Sequence, residues 1–336
     1  MDRITIGDDS EVLIGLGHPD PLLPRRAGRE KAVILTQPGA SEVAARVALV
    51  LGAPIYELPD GEVAKTWETV GKVYEWLSKL ALGRHDTVVG VGGGTVTDVA
   101  GFVAATWLRG VEVVQVPMTL LGAVDAAVGG KTGINVGGKN MVGAFHHPTR
   151  IVIDIDQLSE LPRELWLAGV AEILKVGLIG DPDLIGLFVR HGANPPLFEI
   201  VARAVQFKAT VVSEDFRERD RRSILNFGHT IGHAIEVTSG MPHGMAVGVG
   251  MVAAGAISAK RYEFSNLWLT DLIQSVGLPV SAPDLSLDEV MGRIGQDKKR
   301  TAAGLRMVLL RGVGEPVIDL VDYDEVALGL AAIGVT

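Results

Sequence analysis

The stretch DTVVGVGGGTVTD, residues 86–98, decides the fold class. Its β-branched residues predict a buried strand over residues 86–91, and Gly92, Gly93 and Gly94 follow at once. Glycine has no Cβ atom, so the backbone here can approach a pyrophosphate, and the N–H groups of a following helix can bind it. The spacing is not a complete G-x-G-x-x-G pattern, and a tight turn without a ligand is the alternative. Asp98, in the first turn of the predicted helix, favours a nucleotide site.

The pattern on either side of this stretch predicts two domains. Strands are expected at residues 31–36, 54–58, 111–116 and 150–155, and helices at residues 41–51 and 66–82. Strands that alternate with helices indicate parallel βαβ units and a sheet covered on both faces. Helical patterns dominate after residue 161, and a strand pair is expected at residues 306–310 and 316–320. We therefore predict an α/β, Rossmann-like nucleotide-binding domain over residues 1–157 and a mostly α-helical domain over residues 158–336, with a site in the cleft between them.

The composition excludes several classes of protein. Of the 336 residues, 47% are hydrophobic and 21% charged, as in a soluble globular protein. The 31 Lys and Arg residues against 40 Asp and Glu residues argue against a nucleic-acid binder that relies on a basic face. Cysteine is absent, which excludes disulfides and a cysteine nucleophile and fits a reducing cytoplasm. The apolar run at residues 244–259 is shorter than the ~20 residues of a membrane span and predicts a core helix.

A second glycine-rich segment, DAAVGGKTGINVGGKN, covers residues 125–140. Its glycines alternate with Lys131, Lys139 and Asn140, all of which can donate hydrogen bonds to anionic oxygens. Glycine-rich backbone also forms anion-binding concavities. We interpret the segment as a phosphate-binding loop, with an ordinary solvated loop as the alternative.

Histidines and one carboxylate form a candidate metal site. His229 and His233 lie four residues apart on one helical face, and His243 follows after a turn. Glu172 stands on an otherwise apolar helix. One carboxylate and two imidazoles would make a zinc site with an open position. Spacing alone favours His229 and His233 as the histidine pair, and histidines that only hydrogen-bond in the core are the alternative.

Isolated basic residues point to an anionic substrate. Lys175 shares a helical face with Glu172, and Lys208, Arg222 and the run at residues 297–300 stand in apolar or glycine-rich surroundings. A nucleotide, a metal and several cations together imply a small, highly anionic substrate.

Five motifs in order carry a family resemblance over residues 60–310. They are GGGTVTDVAGFVAATWLRG, PMTLLGAVDAAVGGKTGINVGGKNMVGAFHHP, LPRELWLAGVAEILK, RSILNFGHTIGHAIE and HGMAVGVGM. Together they resemble the 3-dehydroquinate synthases of the shikimate pathway, which serves aromatic amino acid biosynthesis. The resemblance implies a cytoplasmic homodimeric lyase that converts 3-deoxy-D-arabino-heptulosonate 7-phosphate to 3-dehydroquinate and phosphate. It also implies NAD, regenerated in each turnover, and zinc, which cobalt could replace. A hydroxyl is transiently oxidised, phosphate is eliminated, the ketone is reduced, and an intramolecular aldol step closes the ring.

The resemblance also implies roles for single residues. The metal ligands would be Glu172, His229 and His243, so His233 would contact the substrate phosphate instead, against the spacing argument. The catalytic residues would be Asp125, Lys131, Lys175 and His233. The substrate would be held by Arg109, Asn140, Lys208, Arg222, Asn226 and Lys298, with Arg109 reaching the site of the partner subunit and Lys208 and Arg222 holding the carboxylate. NAD would contact Asp60, Gly61, Glu62, Lys65, Gly94, Thr95, Asp98, Met118, Thr119, Lys131 and Lys139.

Other activities remain as alternatives at this stage. Thr97, Met118 and Glu160 near the expected NAD site, and Met245 near the metal, depart from the usual family pattern. Another sugar-phosphate cyclase, such as aminodehydroquinate synthase, would keep the same phosphate and carboxylate contacts. A metal-dependent alcohol or glycerol dehydrogenase would share the fold and NAD, but not the many cations. Cyclases whose substrates lack a carboxylate are disfavoured, because buried cations without an anionic partner are costly.

Overall fold

The computed structural model describes residues 2–7, 10–15, 31–295, 300–301 and 304–336. The chain forms two compact units. The first comprises residues 1–162 together with residues 208–217, and the second comprises residues 163–207 and 218–336.

The first unit is built on a seven-stranded sheet with the order β1-β2-β9-β6-β5-β3-β4. Its strands are β1 (Asp2–Ile6), β2 (Ser10–Gly15), β3 (Ala32–Thr36), β4 (Ile55–Glu57), β5 (Thr87–Gly92), β6 (Glu112–Pro117) and β9 (Arg150–Asp154). β1 and β2 are antiparallel, and all other neighbours are parallel. The carboxyl ends of β4, β3, β5 and β6 therefore meet at one edge of the sheet, where open α/β sheets bind their ligands.

Helices cover this sheet on both faces, as the alternating pattern predicts. They are α1 (Ser41–Leu51), α2 (Trp67–Lys79), α3 (Gly94–Thr106) and the short α4 (Ile155–Ser159). Successive strand residues point to opposite faces. Accordingly, Val113 joins the apolar cluster of α2 and α3, whereas Val114 joins the cluster of α1. The expected strand over residues 86–91 is confirmed by β5.

The glycine-rich segment at residues 125–140 contains structure that the sequence did not predict. β7 (Lys131–Ile134) pairs with β8 (Val142–Phe145) in an antiparallel hairpin. Gly143 has room only for hydrogen here, because a Cβ atom would lie 2.2 Å from the Thr132 carbonyl oxygen. Two four-residue strands rich in glycine lack the alternation that marks a strand in a sequence. The segment thus contains the first strand of a hairpin and the turn that follows it, rather than a loop throughout.

The second unit is mostly helical, as predicted. Its helices are α5 (Arg163–Gly180), α6 (Pro182–His191), α7 (Leu197–Glu214), α8 (His229–Ser239), α9 (His243–Tyr262), α10 (Asn266–Ser275), α11 (Leu287–Gly295) and α12 (Tyr323–Ala332), with the last residues of α7, from 208 on, belonging to the first unit. β10 (Arg300–Thr301), β11 (Gly304–Gly312) and β12 (Glu315–Val321) form an antiparallel sheet, which confirms the strand pair expected near the end. The apolar run at residues 244–259 lies within α9 and is almost wholly buried. None of the described helices combines the length and hydrophobicity that crossing a bilayer requires.

Glycines let the three site-bearing helices of this unit approach one another. A Cβ atom at Gly244 of α9 would lie 2.4 Å from the Ala168 Cα atom of α5. A Cβ atom at Gly250 would lie 2.1 Å from the Gly228 carbonyl oxygen and 2.7 Å from the Gly232 nitrogen of α8. Backbone atoms cannot rotate away from such a contact, so any larger residue would force the helices apart.

We expect Gly250→Ala to destabilise the protein by about 1–3 kcal/mol, because the added methyl group overpacks the contact between α8 and α9. Denaturant unfolding of the purified variant measures this change. Gly292→Ala is the matched control: Gly292 is exposed on α11, a Cβ atom there meets nothing within 4 Å, and alanine should stabilise that helix by roughly 0.5–1 kcal/mol. Equal stabilities for the two variants would contradict the packing argument.

Candidate active site

The predicted nucleotide residues gather at the carboxyl edge of the first unit's sheet. β5 ends at Gly92, Gly93 caps α3 without a side chain, and α3 begins at Gly94, so the helix N-terminus faces this edge. Gly93 and Thr119 are close neighbours, because a Cβ atom on Gly93 would lie 3.3 Å from the Thr119 methyl carbon. The segment that follows β4, residues 60–65, reaches the same edge through Gln37, whose Nε2 donates to the Gly61 carbonyl at 2.9 Å.

A buried ion pair lies beside this helix end. Lys65 is 2% exposed, and its Nζ atom lies 2.6 Å from Asp98 Oδ2 and 3.5 Å from Glu62 Oε1. Burial raises the pKa of Asp98 to about 6, although the Lys65 ammonium opposes the shift. The same ammonium donates to Asn140 Oδ1. The structure thus brings together three residues predicted for NAD and one predicted for the substrate.

Two departures from the family pattern fit this edge without disturbing its backbone. Thr97 is buried, and its hydroxyl donates to the Gly94 carbonyl at 2.9 Å within the first turn of α3. Met118 is half-buried against the apolar cluster of α1, and its N–H donates to the Gly92 carbonyl at 2.8 Å. Glu160, a third departure, is exposed at the end of α4.

Asp125 and Lys208 form a second ion pair in the first unit. Asp125 lies in a short π-helical turn at residues 122–126, and Lys208 is 5% exposed on α7. The Lys208 ammonium lies 2.5 Å from Asp125 Oδ1 and 2.6 Å from the Asp125 carbonyl oxygen. The family resemblance implies that Lys208 binds the substrate carboxylate. In this structure its ammonium binds the carboxylate of Asp125.

Other predicted cations of the first unit lie at its surface. Lys131 is exposed at the start of β7, and Lys139 is exposed in the turn between β7 and β8. Arg109 is exposed in a turn with consecutive left-handed residues, Leu108 at φ 49° and Arg109 at φ 70°. Trp107 anchors that turn, because its Nε1 donates to the Leu82 carbonyl at 3.1 Å.

The second unit contains a buried carboxylate among imidazoles. Glu172 is 1% exposed on α5, and its Oε2 atom accepts from Lys175 Nζ. His229, His233 and His243 present ring nitrogens within 4.8 Å of one another. Although burial opposes ionisation, the charge of Lys175 and the imidazoles of His229 and His243 hold the pKa of Glu172 well below its usual range. Glu172 is therefore a carboxylate at neutral pH.

The donor set fits a metal ion. Glu172 Oε1 is buried and has no hydrogen-bond partner among the described residues. Nε2 of His229 lies 3.4 Å and Nε2 of His243 lies 3.6 Å from this oxygen. Ligands at the usual zinc distances of about 2.0–2.1 Å stand roughly 3.3–3.4 Å apart in tetrahedral geometry. The spacing supports the set of Glu172, His229 and His243 and leaves His233, which is exposed, beside it.

Hydrogen bonds orient both of these imidazoles. His229 Nδ1 lies 3.2 Å from the Phe227 carbonyl oxygen, and His243 Nδ1 lies 2.8 Å from Glu236 Oε2. Both oxygens are acceptors, so each Nδ1 carries a proton and each Nε2 faces Glu172. Burial and the Lys175 charge lower the pKa of His229, whereas the carboxylates of Glu172 and Glu236 outweigh burial and raise the pKa of His243 to about 9. A metal ion at His243 would therefore displace a proton.

Two further predicted substrate residues lie in the turn before α8. Arg222 is 2% exposed within the turn at residues 221–226. Asn226 Nδ2 donates to Glu218 Oε1 at 2.7 Å and to the Ser223 carbonyl at 3.2 Å. Asn226 must release one of these bonds before its amide can donate to a phosphate. Lys298, also predicted for the substrate, lies outside the described residues.

Comparison with known proteins finds relatives that match most of the chain. The profiles of the 3-dehydroquinate synthase N-terminal and C-terminal regions match residues 55–168 and 169–300. A 3-dehydroquinate synthase of Mycolicibacterium vanbaalenii is 44% identical over 322 residues, covering 91% of this chain and 90% of the relative. The chain belongs to the 3-dehydroquinate synthase family. Its membership confirms the resemblance carried by the five motifs.

Solved structures related to the 3-dehydroquinate synthase family share the fold. A 2-deoxy-scyllo-inosose synthase, solved with carbaglucose-6-phosphate, NAD+ and Co2+, has a TM-score of 0.89 and 28% identity over the whole of both chains. A 2-epi-5-epi-valiolone synthase of Streptomyces hygroscopicus subsp. jinggangensis, solved with NAD+ and Zn2+, has a TM-score of 0.83 and 26% identity over 96% of each chain. The predicted α/β and helical fold is confirmed.

Residue type and spacing did not predict a role for Glu236, Glu218 or Asn135. Each makes a side-chain hydrogen bond that orients a predicted site residue. Glu236 lies three residues after His233 and therefore on the same helical face, and this spacing was the one signal in the sequence that placed it near the histidines. Met245, where the family pattern has glutamate, is half-buried in α9, and the carboxylate that orients His243 comes from α8 instead.

We expect Glu236→Ala to weaken metal binding by about 10–100-fold, because His243 loses the carboxylate that fixes its ring. Glu236→Gln keeps an acceptor and should lose less. Chelator competition with zinc measures both variants, and Glu199→Ala, which removes an exposed glutamate of α7, is the matched control. Unchanged affinity in Glu236→Ala would show that His243 is not a ligand or needs no such support.

Proposed function

We propose that this chain catalyses the conversion of 3-deoxy-D-arabino-heptulosonate 7-phosphate to 3-dehydroquinate and phosphate, the reaction of a carbon–oxygen lyase. The observation that carries the proposal is the buried Glu172 oxygen facing two imidazoles, in a chain 44% identical to a 3-dehydroquinate synthase over nine-tenths of its length. The cysteine-free composition supports a cytoplasmic location.

The proposal assigns NAD to the carboxyl edge of the first unit's sheet. The N-terminus of α3 at Gly94 offers backbone N–H groups to a pyrophosphate, and Lys65 and Asp98 flank it. NAD supplies a hydride acceptor that returns the hydride within the same turnover, so no net oxidation results. The remaining assigned contacts are Asp60, Gly61, Glu62, Thr95, Met118, Thr119, Lys131 and Lys139. The NAD+ in the two solved neighbours supports this assignment.

Zinc or cobalt is assigned to Glu172, His229 and His243. Such an ion supplies positive charge that lowers the pKa of a hydroxyl bound to it. The chain prepares the ligands: Lys175 keeps Glu172 ionised, and the Phe227 carbonyl and Glu236 hold the imidazole rings. Lys175 is buried beside the carboxylate and is assigned a catalytic role near the reacting hydroxyls.

The remaining side chains are assigned to proton transfer or to binding the anionic groups of the substrate. Asp125, whose Oδ1 accepts from Lys208, is assigned the role of accepting a proton from a substrate hydroxyl. Lys131, Asn140, Asn226, His233 and Lys298 are assigned to the phosphate. Lys208 and Arg222 are assigned to the carboxylate, and a guanidinium can bind it through two parallel hydrogen bonds. A chain that retains both sets of cations suits a substrate with both anionic groups.

We expect the zinc-loaded protein to release phosphate from 3-deoxy-D-arabino-heptulosonate 7-phosphate only when NAD is present, without accumulation of NADH. A phosphate assay, with absorbance at the NADH band followed in parallel, measures both quantities. Accumulating NADH would indicate a dehydrogenase. A folded, zinc-loaded protein that released no phosphate would overturn the proposal and direct attention to the aminated substrate analogue.

The proposal also assigns the chain to a homodimer in which Arg109 reaches the partner's site. Left-handed backbone costs a non-glycine residue of order 1–3 kcal/mol and occurs most often at functional sites. Leu108 and Arg109 both carry it, and the resulting turn leaves Arg109 exposed. This strained, exposed turn supports the proposal that Arg109 contacts the partner subunit.

We expect co-expressed Arg109→Ala and Glu172→Ala chains to recover activity that neither variant has alone. In a mixed dimer, one site keeps its metal ligands and receives Arg109 from the other chain. Random pairing in a two-fold dimer gives about a quarter of the wild-type sites. Arg109→Ala co-expressed with the double variant Arg109→Ala/Glu172→Ala is the control and should recover nothing. If the first mixture stays inactive, Arg109 acts within its own chain or plays no part.

A further inference from the structure

We infer that Asn135 is a positioning residue that holds Asn140 as a hydrogen-bond donor for the substrate phosphate. The inference rests on the proposed function for the identity of that ligand. It concerns a side chain that has no assigned role, and it stands on hydrogen bonds within the first unit.

Asn135 uses both ends of its amide. Its Oδ1 atom accepts from the backbone N–H of Asn140 at 2.8 Å, and its Nδ2 atom donates to Glu62 Oε1 at 3.1 Å. Its own backbone N–H donates to the Lys65 carbonyl at 2.8 Å. Because one end must accept and the other must donate, the amide has a single orientation that satisfies both partners. Asn135 thus ties the turn that ends at Asn140 to the segment at residues 60–65.

Asn140 needs such support. Its φ angle of 55° is left-handed, and the turn before it contains Gly137, also left-handed at 67°. Its side chain is exposed, so burial does not hold it. The bond from Asn135 closes the turn across five residues and keeps this backbone in place.

The network also determines which end of the Asn140 amide is presented. Lys65 Nζ donates to Asn140 Oδ1, which leaves Nδ2 as the outward end. Among the residues that the structure describes, Asn140 Nδ2 has no hydrogen-bond partner. A phosphate oxygen accepts hydrogen bonds and cannot donate them once ionised, so a nitrogen is the end it requires. Asn140 is therefore oriented as a donor before any ligand arrives.

Glu62 anchors the other side of Asn135. Its second oxygen accepts from the Thr95 hydroxyl at 3.1 Å, next to the N-terminus of α3. A carboxylate that accepts from both Thr95 and Asn135 joins the proposed NAD segment to the proposed phosphate contact. Asn135 is the only link in this chain of contacts that carries no charge and no proposed contact with a ligand.

The experiment compares Asn135→Ala, the nearly isosteric Asn135→Asp, Glu62→Gln, and Asn135→Asp combined with Glu62→Gln. Because Glu62 is itself a proposed NAD contact, Glu62→Gln alone is the reference for the double variant. Asn135→Ala removes both bonds. Asn135→Asp keeps the acceptor for Asn140 but sets a second carboxylate against Glu62. In the double variant the amide introduced by Glu62→Gln can donate to the carboxylate introduced by Asn135→Asp, which restores the bridge. Asn194→Ala, an exposed asparagine of the second unit, is the matched control.

Two readouts separate positioning from general destabilisation. Hydrogen–deuterium exchange of the peptide that contains the Asn140 amide measures how often the turn opens in the absence of substrate. Steady-state kinetics at saturating NAD reports the KM for the heptulosonate phosphate and kcat. We expect faster exchange in Asn135→Ala, a KM raised about tenfold in Asn135→Ala and Asn135→Asp with a smaller change in kcat, and a KM in the double variant equal to that of Glu62→Gln alone.

Exchange and KM equal to those of Asn194→Ala would overturn the inference. So would faster exchange with an unchanged KM, because the held turn would then not matter to the substrate. A wild-type protein that is inactive on the heptulosonate phosphate would overturn the proposed function instead. In that case, exchange and the binding of inorganic phosphate, measured by calorimetry on the same variants, still test whether Asn135 holds Asn140 for an anion.

Discussion

One buried carboxylate constrains the second unit. Glu172 stands in the buried, mostly apolar part of α5, and ionised carboxylates are rarely buried without compensating charge. Lys175 compensates one oxygen, and His229 and His243 face the other. Three helices must therefore meet closely, which explains why glycines stand at their contacts. The glycines allow the helix backbones to approach closely. The same close approach brings Glu172, His229 and His243 near one another.

The first unit follows a different principle, in which the carboxyl ends of parallel strands bring short polar segments to one edge. Lys65 compensates Asp98 and Glu62 and orients Asn140, so one buried ammonium serves three side chains. The buried ammonium of Lys65 is thus paired with other protein groups before a ligand binds. Such preorganisation reduces the cost of ordering side chains when an anionic ligand arrives.

Most of the architecture could be predicted, because strand and helix periodicity are local properties. The strand before the triple glycine, the buried helix at residues 244–259 and the final strand pair are where the pattern indicates. The hairpin of β7 and β8 could not be predicted, since its strands are short and contain glycine. Helical spacing groups His229 with His233, whereas the structure brings Nε2 of His229 and Nε2 of His243 to 3.4 and 3.6 Å from Glu172 Oε1. Which histidines face Glu172 depends on how α5 packs against α9. That packing brings together Glu172 and His243, which are about seventy residues apart in the sequence.

The amino-acid sequence by itself determined the α/β and helical pattern, the absence of cysteine chemistry and, through five ordered motifs, the family. These properties depend on residue type and on spacing over a few turns of chain. Only the tertiary structure decided which oxygen of Glu172 is unpaired, that Glu236 orients His243, and that Asn135 connects Glu62 to Asn140. The reason is physical: a hydrogen bond needs two atoms within about 3 Å with a suitable angle, and residues far apart in sequence meet that condition only in the folded chain.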